Sequence, residues 1–174
     1  MTINIRKYSY CTDYSKILIL YNNLKFNNMK TLYLITAWLF TTIVYSQCPS
    51  GTITISNQNQ INNFAATYSG CTNITGDLFI SGNNISSLQG LSQITTVAGQ
   101  TTVYLCPNLT SLDGLQNISS MDTISIGFNS NLTSLAGLQS LVTLSNVLSI
   151  NANPLLNNLN GLQQLTAVGN SIFY

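Results

Sequence analysis

From Gln47 onward, the side chains able to do covalent or acid–base chemistry are three thiols, Cys48, Cys71 and Cys106, and three carboxylates, Asp77, Asp113 and Asp122. No Lys, Arg, His or Glu occurs in that stretch. All five cations, Arg6, Lys7, Lys16, Lys25 and Lys30, fall within the first thirty residues. A thiol nucleophile needs a base to take its proton, and the chain has no histidine. General acid–base catalysis and charge neutralisation call for His, Lys, Arg or a metal. The aspartates do not share a repeating register, and a calcium ion wants roughly six to eight oxygens. These residues therefore predict no catalytic site, no cofactor, no metal site and no enzyme. Without a basic patch, nucleic-acid binding has no electrostatic footing. Polybasic docking on a membrane surface fails for the same reason.

The elements that must position these groups are read from a repeat. Gly90, Gly114, Gly137 and Gly161 are 24, 23 and 24 residues apart. Each is framed by leucines: Leu88 and Leu91, Leu112 and Leu115, Leu135 and Leu138, Leu159 and Leu162. Three residues further on come Ile94, Ile118, Leu141 and Leu165, and three beyond those Val97, Met121, Leu144 and Val168. Self-similarity of this length marks a stacked repeat architecture. Upstream of each glycine lies a segment of period-two alternation, "DLFIS", "QTTVY", "TISIG" and "VLSIN", which predicts a strand with one buried face. Leu78 and Ile80, Val103, Ile124 and Ile126, Leu148 and Ile150 point inward, and Thr101 is the misfit. The apolar spacing of three that follows predicts tight 3₁₀-like bends. The fold expected is a mainly β, right-handed β-helix-like leucine-rich solenoid of about four coils.

Three residues past the last inward strand residue stand Asn83, Cys106, Asn129 and Asn153. At such a corner an inward amide can hydrogen-bond backbone groups left unpaired by the bend, and amides in successive repeats form a ladder. A small thiol tolerates the same burial and is a weak donor and acceptor. Cys106 is thus expected to be a buried, unreactive rung. Cys48 and Cys71 lie outside the repeat and bracket a strand, "TITIS", and an amphipathic helix over 57–68, with Ile61, Phe64, Ala65 and Tyr68 on one face. This region, residues 47–73, reads as an N-terminal cap closed by a Cys48–Cys71 disulfide. A bridge over a loop of that length contributes roughly 3 kcal/mol.

Residues 29–46, "MKTLYLITAWLFTTIVYS", read as a signal peptide with a lysine, an apolar run and a small residue before Gln47. Residues 1–28 show no sustained period and read as a disordered or misplaced leader. The expectation is a secreted or cell-surface protein with no membrane insertion after cleavage. The alternative is an anchor through residues 31–45, a run shorter than the roughly 20 residues a spanning helix needs.

The "CPSG…C" opening followed by "NLTSLDGL", "ITTVAG" and "LTAVGN" over about residues 48–174 resembles the receptor L-domain family and its bacterial secreted relatives. The resemblance implies a leucine-rich, β-helix-like fold and a surface or secreted role in ligand binding. It brings no catalytic residue. Residues 74–174 would then be the repeats, truncated in a fifth coil where "VGNSIFY" aligns with "LSNVLSI", as in a fragment of a larger surface protein. An uncapped coil of that kind exposes an apolar face and a strand edge, and implies end-to-end self-association.

By alternation the outward face carries Asp77, Phe79 and Ser81; Gln100, Thr102 and Tyr104; Thr123, Ser125 and Gly127; Val147, Ser149 and Asn151. Phe79, Thr102, Tyr104, Thr123, Ser125, Ser149 and Asn151 are the candidate binding residues, because hydroxyls, amides and aromatic rings suit a saccharide or protein surface. The function expected is non-enzymatic recognition or adhesion. The alternatives are a carbohydrate-active β-helix enzyme and an ice- or crystal-binding protein.

Overall fold

The computed structural model describes residues 48–173. The leader, the signal peptide and the alternative anchor lie outside the described residues. The strands are β1 (Ile53–Ile55), β2 (Asn73–Ile74), β3 (Leu78–Ile80), β4 (Thr96–Tyr104), β5 (Ser120–Gly127), β6 (Thr143–Leu144), β7 (Val147–Asn151), β8 (Ala167–Val168) and β9 (Ser171–Phe173). All of their pairings are parallel. Each strand pairs with its counterpart one repeat away, so equivalent residues line up across the sheet. One inner row runs Ile53, Leu78, Thr101, Ile124, Leu148, and its neighbour runs Ile55, Ile80, Val103, Ile126, Ile150. A further row joins Ile74, Val97, Met121, Leu144 and Val168.

The expected β-helix-like solenoid is corrected by this topology. The strands form one open, flat parallel sheet in the order β1-β3-β4-β5-β6-β8, with β2 on β4 and β7 between β5 and β9, and the order does not close on itself. The reason lies in β4 and β5. Tight 3₁₀-like bends were expected along the whole apolar spacing of three, but after Ile94 and Ile118 the backbone is extended and continues into the next strand segment. A register irregularity between Val97 and Gln100 is the only interruption of the β4–β5 pairing. Two rows of strand segments thereby belong to one sheet. The 3₁₀ turns do form, earlier in the repeat, at Gln89–Leu91 and Ala136–Leu138.

The core is the inner rows plus the leucines of the glycine frame. Leu88, Leu91, Leu112, Leu115, Leu135 and Leu138 are wholly buried. Each such side chain contributes roughly 1.5–3 kcal/mol relative to exposure. The glycine between them has a steric cause. At Gly114, whose φ is +121°, a Cβ would stand 2.0 Å from the Leu88 carbonyl oxygen of the preceding repeat. Only glycine permits both that backbone conformation and that approach. Burial thins in the last repeat, where Leu159 is 44% exposed although its counterparts Leu88, Leu112 and Leu135 are fully buried.

At the N-terminal end the Cys48–Cys71 disulfide is formed. The single helix expected over 57–68 is two short ones, α1 (Gln58–Asn62) and α2 (Phe64–Thr67). Asn63 separates them, and its side-chain amide donates to the Asn59 carbonyl at 2.9 Å, a local bond that competes with a continuous helix. Ile61 and Phe64 are buried, Tyr68 is partly so, and Ala65 faces solvent. Asn57 caps α1 by accepting from the Gln60 N–H. Gln58 fastens α1 to the first repeat, accepting from the N–H groups of Ser86 and Ser87 and donating to the Ser87 carbonyl.

Candidate binding face

The strands turn a ladder inward at their C-terminal ends and a polar face outward. Asn129 is fully buried; its Oδ1 accepts the Cys106 N–H at 2.9 Å, and its Nδ2 donates to the Val103 carbonyl at 3.0 Å. Asn153 repeats the pattern one strand on, accepting the Asn129 N–H at 3.1 Å and donating to the Ile126 carbonyl at 3.0 Å. Cys106 occupies the equivalent place, its Sγ 3.9 Å from the Ile80 carbonyl and 3.5 Å from that of Tyr104. Burial pushes the thiol up from its ordinary value, against backbone hydrogen bonds with Gly82 and Tyr104 that pull it down. A buried thiol held protonated in this way is a poor nucleophile.

Asn83, the fourth expected rung, is corrected. Its side chain is exposed, and its carbonyl accepts from the Asn108 amide at 2.7 Å. The backbone explains the difference. Leu105, Phe128 and Ala152, each just before an inward rung, have left-handed φ of 52°, 57° and 51°. Gly82 is not in that region. A Cβ on Gly82 would sit 2.2 Å from the Ser56 carbonyl oxygen, so this corner is packed against the N-terminal region and turns Asn83 outward. Cys106 is therefore the terminal rung, with no inward rung before it to require an amide acceptor.

On the outer face, Phe79, Thr102, Ser125 and Ser149 form one row across β3, β4, β5 and β7. Phe79 is 38% exposed, the three hydroxyls are half-buried, and Thr54 of β1 extends the row. Thr123 is corrected: it is buried, and its hydroxyl donates to Asp122 at 3.1 Å. Tyr104 and Asn151 stand at the C-terminal end of the face, flanking Gly127 in register.

The structure adds residues that were not among the chosen candidates. A shallow groove of about 370 Å³ opens between Thr52, Thr54, Asp77, Phe79, Gln100 and Thr102. One Asp77 carboxylate oxygen accepts the Gln100 N–H at 2.8 Å and the other faces the Thr52 hydroxyl at 3.4 Å. The Gln100 side-chain amide donates to the Thr102 hydroxyl at 3.1 Å and reaches Ser125 at 3.4 Å. An apolar ring, an oriented carboxylate and an oriented amide thus share one concave surface. Alternation alone placed Asp77 and Gln100 outward, but Thr52 and Thr54 join them only through the β1–β3 register. A wider cleft of about 840 Å³ flanks the disulfide between Pro49, Tyr68 and Asn73 and is lined by no charged side chain.

Among the described residues, no three His, Cys, Asp or Glu side chains converge as a metal site. No described helix is long and apolar enough to cross a membrane. No family model matches the chain, and no curated protein or solved structure matches it either.

Proposed function

We propose that this protein is an exported, non-enzymatic recognition module that holds a saccharide on the outer face of its sheet. The observation that carries the reading is the Asp77–Gln100–Phe79 groove. An uncharged, hydroxyl-rich ligand needs oriented acceptors and donors beside an apolar surface, and the groove supplies all three. The rigid strands beneath hold them in place, which limits the ordering that binding must impose. Asp77 has no second carboxylate, histidine or lysine beside it in the groove, which favours binding over turnover. The disulfide favours an oxidising, extracellular setting. Kinship with the receptor L-domain family is part of the proposal and rests on the "CPSG…C" opening and the "NLTSLDGL" repeats.

Screening residues 47–174 on an immobilised glycan panel tests this reading. The expectation is selective retention of neutral saccharides, lost on Asp77→Ala. Absence of any saccharide binding, or equal binding by Asp77→Ala, contradicts it.

A further inference from the structure

We infer that Tyr104 is a second contact on this face, a stacking platform for a pyranose ring, so that the ligand is an extended saccharide rather than a single sugar. This rests on the reading of the groove as a saccharide site. The Tyr104 ring lies across Gly127: a Cβ there would stand 3.1 and 3.2 Å from two ring carbons and 2.9 Å from the Asn151 side-chain oxygen. A glycine at that register thus leaves the bed in which the ring rests. Phe128 braces it, with ring centroids 5.0 Å apart and planes tilted by 53°.

The corner that holds Phe128 gives the independent argument. The left-handed backbone is needed to turn the ladder inward, but the side chain there is not, since Ala152 makes the same corner with a methyl group. Glycine would adopt the conformation without strain. Leu105 and Phe128 instead put large apolar side chains in the left-handed region and leave them 49% and 48% exposed, outside the core, and Phe128 is the one whose ring packs against Tyr104. Strain of this kind retained at an exposed aromatic residue points to a contact made with something else.

The polar surroundings select the class of ligand. The Asn151 amide beside Tyr104 donates to the Ser149 hydroxyl at 3.3 Å and is itself exposed. An aromatic face edged by an amide and a hydroxyl meets the two faces of a pyranose: C–H groups on the ring, hydroxyls at the rim. Phe79 pairs in register with Thr102, and Tyr104 lies two residues further on the same side of β4. That places the Tyr104 backbone about 7 Å along the strand and about 5 Å across from that of Phe79, with the ring leaning further, over Gly127. Linked sugar units running along β4 therefore reach from the groove to the platform.

The test compares wild type, Tyr104→Ala, Phe128→Gly and Asp77→Ala against gluco-, xylo-, manno- and chito-saccharides, each as the single sugar and as longer oligomers. Wild type should prefer oligomers. Tyr104→Ala and Phe128→Gly should each lose about tenfold in oligomer affinity, so that the preference for oligomers over single sugars falls. Phe128→Gly relieves the backbone strain but gives up the Tyr104 contact and adds unfolded-chain entropy. Its unfolding midpoint is therefore measured beside its affinity, and binding is compared well below that midpoint, where a loss of affinity is not a loss of fold. If both variants bind oligomers as wild type does while Asp77→Ala does not, the platform is overturned and the groove stands. Equal wild-type affinity for single sugars and oligomers also overturns it. If wild type binds no saccharide, both readings fall.

Discussion

On the inner face of β4, Thr101 and Val103 each meet a repeat-equivalent residue on both neighbouring strands, and the row is apolar at every other position. On the outer face of the same strand, Thr102 lies between the Phe79 ring and the Ser125 hydroxyl, and Tyr104 pairs with Gly127, so bulk and polarity change along the row. Parallel pairing at the repeat length stacks like on like throughout the buried rows, and outside them only in part, as at Thr102, Ser125 and Ser149. Where solvent removes the demand of burial, the residues are free to differ, and there the groove and the platform arise. The inner face specifies the fold, and the outer face is the one we propose for recognition.

The largest effect that can break this division is at the ladder. Asn129→Leu keeps the branched shape of the side chain but leaves the Cys106 N–H and the Val103 carbonyl without their partner and disturbs Asn153. Each buried group so left costs roughly 1–3 kcal/mol. Denaturant unfolding should show a loss of about 3 kcal/mol or more. A loss below about 0.5 kcal/mol, the range of an ordinary surface substitution, would mean that the corner does not depend on the amide.

A smaller effect, opposite in sign, belongs to Thr101. Its hydroxyl is fully buried and has no hydrogen-bond partner among the described residues. Thr101→Val removes the unpaired group at nearly constant shape and should stabilise the fold by roughly 1–2 kcal/mol. Smaller still is Cys106→Asn. As the terminal rung this position needs to satisfy little beyond the Ile80 carbonyl, so the change should lie within about 1 kcal/mol of wild type. Native-state alkylation of Cys106 should be slow until the protein unfolds, because the thiol is buried and its ionisation is suppressed. Rapid labelling would contradict the assignment.

The inner rows and the disulfide were legible because alternation and a repeat of 23–24 residues determine which side chains face inward and which equivalents meet. Thr101 was legible even as a misfit. Asn83 was not, because whether a corner amide turns inward depends on the backbone of the residue before it, and Gly82 is held by a contact with Ser56 from far away in sequence. The continuity of β4 and β5 was missed for a related reason: an apolar residue every third position describes burial, and an extended chain with a register irregularity produces it as well as a tight turn does. The break at Asn63 needed a single side-chain bond that periodicity does not register. On the outer face, alternation put Asp77 and Gln100 outward, but only the register of β1 on β3 made them part of a groove.

The division between the faces is tested most directly by measuring unfolding free energy and glycan affinity together on two variants, Thr101→Val inside and Phe79→Ala outside. The account predicts that Thr101→Val raises stability and leaves affinity unchanged. It predicts that Phe79→Ala weakens binding about tenfold or more while stability stays within about 0.5 kcal/mol of wild type. A Phe79→Ala protein that binds as wild type does, or that loses several kcal/mol of stability, would contradict it.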